Sequence, residues 1–188
     1  MINMKKKIKT LTEIAIFSAL IVLLQVLATS INFGSFPITL TLIPIIVAGC
    51  VYGELVGAFL GFVFGAVVSI MVVTGADPSG ATMFSAHPII TVATCLLKGI
   101  LAGYLSALAY KRLKVKNEKL RVVIAAAICP VVNTLILYIS LMIFFDTSLK
   151  ALIGAFISVN FVIELLINVL LAPGLTGLIL RNKKRYEN

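Results

Sequence analysis

The amino-acid sequence predicts an all-α membrane protein, a bundle of six transmembrane helices with both termini on the cytoplasmic side. Three observations carry that reading. The 188-residue chain is 61% hydrophobic and only 12% charged, against about 25% charged in ordinary soluble domains. Its mean hydropathy is +1.14, and six spans of about 20 residues each would leave short loops and no room for a soluble domain. Basic residues are also segregated. Of the 16 Lys and Arg, all but Lys98 and Lys150 lie before the first apolar run, between Lys111 and Arg121, or after the last run. If the helices alternate in direction, those three places share one side, and positive loops mark the cytoplasmic side. The net charge of +9 is therefore a topology signal and not a nucleic-acid surface.

The elements follow in order, as one membrane domain over residues 1–188. The first span is expected over residues 11–28, behind Lys5, Lys6, Lys7 and Lys9. Its Lys-rich start imitates a signal peptide, but Ala28-Thr29-Ser30 is a poor cleavage site. Removing it would leave five spans, so an uncleaved first helix is expected. The second span, residues 38–52, is short and contains Pro44. A proline removes a backbone donor and is expected to kink it. A tight turn at Gly53-Glu54 leads into the third span, residues 55–74. Residues 74–87 form the longest outside connection, whose Gly, Pro and Asp content suits a binding loop or lid. The fourth span covers residues 88–110 and the fifth 122–145, with Pro130 inside it. The sixth is expected as one helix over residues 149–180, with Pro173-Gly174 near its cytoplasmic end.

Small residues repeat at helical spacing. Gly57, Gly61 and Gly65 stack on one side of the third span, and Gly99 with Gly103 on the fourth. Such stripes let a second backbone approach closely, and packing within the bundle is the expected use. Ala15 and Ala19 make a similar pair on the first span. By physics alone that pair either packs inside or forms a docking strip for another membrane protein.

Ionisable residues inside hydrocarbon are expensive and are functional candidates by default. Lys98 lies roughly 15 Å in from the outer end of its span, Asn133 roughly 18 Å, Asn160 roughly 16 Å and Glu164 roughly 22 Å. With Tyr138 above Asn133, these side chains are expected to converge in the outer half of the bundle as a ligand pocket. His87, Phe84 and Phe36 are candidates for its rim and apolar walls. The plain structural alternatives are a buried Lys98–Glu164 ion pair, Asn133 capping the break near Pro130, a solvated His87, and interfacial anchoring by the phenylalanines. Asp77 is read as the cap of the Asp77-Pro78 turn. Cys50, Cys95 and Cys129 sit singly in apolar stretches without metal-ligand spacing, and neither a metal nor a cofactor is expected.

The order of Ala15-Ile16-Phe17-Ser18-Ala19, the Pro44 segment from Ile38 to Gly49, the glycine-rich third span and Leu96-Leu97-Lys98-Gly99-Ile100-Leu101-Ala102-Gly103 resembles one known family. It is similar, over essentially the whole chain, to the substrate-binding S components of energy-coupling factor (ECF) transporters. The resemblance implies a six-helix protein of the prokaryotic cytoplasmic membrane that captures a vitamin or related micronutrient from outside. It also implies association with a membrane coupling protein and two cytoplasmic ATPases, with Ala15 and Ala19 as the docking pair. The chain has no G-x-x-x-x-G-K-[ST] phosphate loop, so ATP hydrolysis would belong to the partners.

A basic residue in the fourth span would favour a carboxylate-bearing ligand. The Ile43-Pro44-Ile45-Ile46 segment looks most like the pantothenate-type branch. That branch commonly has Pro-Arg where this chain has Leu97-Lys98, so folate, biotin and riboflavin stay open. Two other classes are weighed against the capture subunit. A membrane enzyme needs a nucleophile–base pair or a metal cluster, and the one histidine, His87, has no such companions in sequence. A stand-alone carrier or channel would transport without ATP.

Overall fold

The computed structural model describes residues 2–30 and 40–187. Among them the chain is helical throughout, with no strand. The helices are α1 (Ile2–Ser30), α2 (Leu42–Tyr52), α3 (Glu54–Thr74), α4 (Pro78–Ala86), α5 (Pro88–Arg112), α6 (Glu118–Phe144), α7 (Leu149–Ile157) and α8 (Val159–Glu187). Five of them, α1, α3, α5, α6 and α8, contain stretches long and apolar enough to cross a membrane. Large apolar side chains such as Ile16, Leu55, Ile70, Ile89 and Leu170 point outward, as a lipid-facing surface requires.

Most of α2 is buried, with every residue from Leu42 to Cys50 inside. It packs on α3, α5 and α8, and an element surrounded by helices is apolar all round. Pro44 does not interrupt it. It is the third helical residue, within the first turn, where the N–H it lacks has no intrahelical partner to lose. The turn into α3 rests on Gly53 at φ 103°, ψ 174°, a conformation open to glycine but not to residues with a Cβ. Its N–H bonds Gly49 O at 2.9 Å.

The most extensive helix pairing is α3 on α5, and the glycines explain it. A Cβ at Gly57 would sit 2.5 Å from Gly103 O, one at Gly65 2.5 Å from Cys95 O, and one at Gly61 would strike Gly99 O. The two backbones touch along both stripes, so the expected packing role is the observed one. Lipid tails are as apolar as Leu, so such close contacts and interhelical hydrogen bonds hold membrane bundles together. Between α5 and α6 the bonds are Thr94 Oγ1 with Ser140 Oγ at 2.6 Å and Ser106 Oγ donating to Ala125 O at 2.8 Å. Each is worth about 0.6 kcal/mol on average in a membrane.

The structure differs from the sequence expectation in two connections. Residues 74–87 are not an open loop, because α4 fills most of them. Gly75 at φ 76° ends α3, Asp77 accepts from Gly80 N at 3.2 Å as the N-cap, and Pro78 supplies a preset first helical residue. The expected sixth helix is two helices. Ser158 adopts extended backbone between α7 and α8. Its hydroxyl donates to Ala155 O at 2.7 Å and accepts from Phe161 N at 3.3 Å. One side chain thus closes α7 and caps α8.

Candidate functional site

Lys98, Asn133, Tyr138, Asn160 and Glu164 line one cavity of about 130 Å³. They come from the middle of α5, the second half of α6 and the start of α8, and all five were expected from sequence to converge. Lys98 and Glu164 are each only 9% exposed and Asn133 8%. The cavity lies away from the end of the bundle where Glu54 pairs with Lys111 and where Arg121 stacks over Tyr110.

Each polar group has a definable state. Lys98 forms no ion pair among the described residues, so the structural Lys98–Glu164 pair weighed from sequence is not made. Its ammonium lies 5.9 Å from the centroid of the Phe64 ring, within the range of a cation–π contact. That contact leaves its N–H donors available to a ligand. Asn133 does not cap the break at Pro130. Its Oδ1 is buried and has no hydrogen-bond partner among the described residues. A buried acceptor left unmet costs about 1–3 kcal/mol, so this atom calls for a donor from whatever fills the cavity. Glu164 accepts from Asn168 Nδ2 through its backbone carbonyl at 2.7 Å, and the residue lines the cavity.

The other expected site residues fall elsewhere. His87 joins α4 to α5, is exposed, and packs edge-on against Phe145 at 5.2 Å between ring centroids. Phe84 packs against the apolar core from α4 and does not line the cavity. Phe36 lies outside the described residues. Ala15 and Ala19 are both exposed on the outer face of α1, while Ile21, Gln25 and Ala28 face inward. The pair therefore does not pack inside the bundle.

The wall also holds residues that the sequence reading did not assign to it, Gln25, Asp77, Phe64 and Ser158 among them. Gln25, from α1, is 4% exposed and accepts from Thr41 Oγ1 at 2.9 Å through its Oε1. It is the lone polar residue between Ser18 and Thr29, so the attention to polar residues at depth that singled out Asn133 would have found it. Asp77 caps α4 as expected and also lines the cavity. Phe64 supplies an apolar wall. Ser158 enters the wall only because α7 and α8 break there, which nothing in its sequence context announces.

Comparison with known proteins bears on the chemistry. Residues 9–176 match the model of the family described as ECF transporter, substrate-specific component. The pantothenic acid transporter PanT of Lactococcus lactis subsp. cremoris (strain MG1363) is 28% identical over 186 residues, covering 91% of this chain and 93% of that protein.

Proposed function

This chain belongs to the family of ECF transporter substrate-specific components, and we propose that it captures pantothenate in the cavity around Lys98. The observation that carries this reading is the pairing of an ion-pair-free ammonium with an unmet acceptor inside one buried cavity. Lys98 would hold the ligand carboxylate through a charge-assisted hydrogen bond. Asn133 Oδ1 would accept from the ligand's amide N–H or a hydroxyl. Pantothenate offers one carboxylate, one amide and two hydroxyls, which matches a wall with one cation and several acceptors. Asp77 and Glu164 also line the cavity, and a second ligand carboxylate would meet them as like charges. That selects against a dicarboxylate such as folate. The relationship to a pantothenic acid transporter over most of both chains supports the same choice.

In this reading the termini and the basic loop face the cytoplasm, the cavity is reached from outside, and the chain itself carries out no catalysis. A membrane coupling protein seats on the outward strip of α1 at Ala15 and Ala19, and two ATPases supply the energy. The test is calorimetric titration of the purified chain with pantothenate, folate, biotin and riboflavin. Pantothenate should bind far more tightly than the rest. Binding of none of them, or uptake by the chain alone in liposomes without ATP, would sink the proposal.

A further inference from the structure

A second opening lies at the other end of the bundle, between the start of α6 and the end of α8. It measures about 500 Å³, and its wall includes Lys119 from α6 and Pro173, Gly174, Thr176, Gly177 and Arg181 from α8. Three features distinguish it from an accidental gap. Lys119 and Arg181 form no ion pair among the described residues, and the one acid in the wall, Glu118, accepts from the Tyr110 hydroxyl at 3.2 Å. Thr176 is 0% exposed, and its hydroxyl has no hydrogen-bond partner among the described residues. A Cβ built on Gly174 or Gly177 meets nothing within 4 Å, so these two glycines leave a furrow along α8 where the α3 and α5 glycines meet backbone.

We propose that this crevice binds an anionic phospholipid, with its phosphate between Lys119 and Arg181 and an acyl chain laid along the furrow at Gly174 and Gly177. Position decides for a lipid over a soluble anion. The stretches here long and apolar enough to cross a membrane are Glu118–Phe144 and Val159–Asn182, which puts Lys119 and Arg181 at their ends, where the membrane surface would lie. Gly174 is seven residues further in, about 10 Å along the helix, at a depth where hydrocarbon and not water is the natural occupant. A free phosphate would satisfy the cations and leave the furrow empty. Leu178, 58% exposed beside the furrow, supplies apolar contact for the chain. Basic pockets between transmembrane helices take anionic head groups in this way.

The experiment is native mass spectrometry of the full chain in detergent. It is mixed with dioleoyl phosphatidylglycerol, dioleoyl phosphatidylcholine, or glycerol phosphate as the head group alone. The anionic lipid should be retained in preference to the zwitterionic one, and glycerol phosphate should not displace it at equal concentration. Lys119→Gln with Arg181→Gln should weaken retention about 25-fold, at about fivefold per cation near the surface. Gly177→Leu should abolish retention with both cations in place. Both sites of change are open, and thermal melts of each variant verify the fold. Should Gly177→Leu not fold, Gly177→Ala, whose Cβ meets open space, replaces it and should weaken retention in part. Equal retention of the two lipids, retention unaffected by the charge change, or displacement by glycerol phosphate would overturn the proposal, the last in favour of a soluble-anion site.

Discussion

In the proposed site Lys98 and Asn133 would divide the recognition of a ligand into a charged and a neutral half, and the two halves should respond differently to substitution. Lys98→Met keeps length and volume while removing the donor. A hydrogen bond to a charged group is worth about 1.5–3 kcal/mol, so pantothenate affinity should fall about 10- to 100-fold in calorimetric titration. Lys98 forms no ion pair among the described residues, so the melting temperature of the unliganded protein should not drop. Asn133→Leu should also weaken binding, by about fivefold for a neutral hydrogen bond. Here the unliganded protein should melt at the same temperature or higher, because the change deletes an acceptor that has no partner among the described residues. A fall in stability for either variant would mark the residue as structural. At this scale much of the cavity's polar lining was legible, because polar residues inside apolar runs announce themselves. Lys98, Asn133, Asn160 and Glu164 all stand out in that way. His87 and Phe84 do not line the cavity, because closeness in sequence to a connection does not say which way a side chain faces. Once α4 forms, Phe84 packs against the apolar core and His87 stays exposed beside Phe145.

Among the elements, the glycine stripes on α3 and α5 make the sharpest demand on sequence. Gly61→Ala would drive a methyl group into Gly99 O and force the two helices apart. Overpacking of this kind costs about 1–3 kcal/mol, and thermal melting in detergent should register it. Gly154→Ala is the matched control, since its Cβ meets nothing within 4 Å, and it should melt like the parent protein. If both substitutions behave alike, the stripe is not what holds α3 to α5. The long helices were legible because hydropathy and charge asymmetry are properties of whole segments. Two finer features were not. The helix α4 depends on Asp77 and Pro78 acting together as cap and first residue within a segment whose Gly and Ser content reads as loop. The break at Ser158 depends on one hydroxyl serving two helix ends, inside an apolar stretch whose hydropathy is unbroken. Both features shape the cavity, since Asp77 and Ser158 enter its wall by virtue of them.

Across the whole molecule, α1 would link the two proposed roles of the chain, ligand capture and docking of a partner. Its inner face brings Gln25 to the cavity and ties it to Thr41, while its outer face presents Ala15 and Ala19 with their methyl groups exposed. Small residues on a lipid-facing strip gain nothing for the bundle itself, because lipid fills the space equally well. They gain a great deal if another helix must approach closely. The two faces are separable by design, and that separation is testable. Ala19→Trp places a large ring on the outer strip without touching the cavity wall. Pantothenate binding by the isolated variant should match the parent protein in calorimetric titration, whereas copurification of the coupling protein and ATPases from cells should fall to background. ATP-dependent uptake should be lost with it. Assembly that survives the tryptophan would place the docking surface elsewhere. Loss of ligand affinity together with assembly would instead show that the outer strip supports the fold of the bundle.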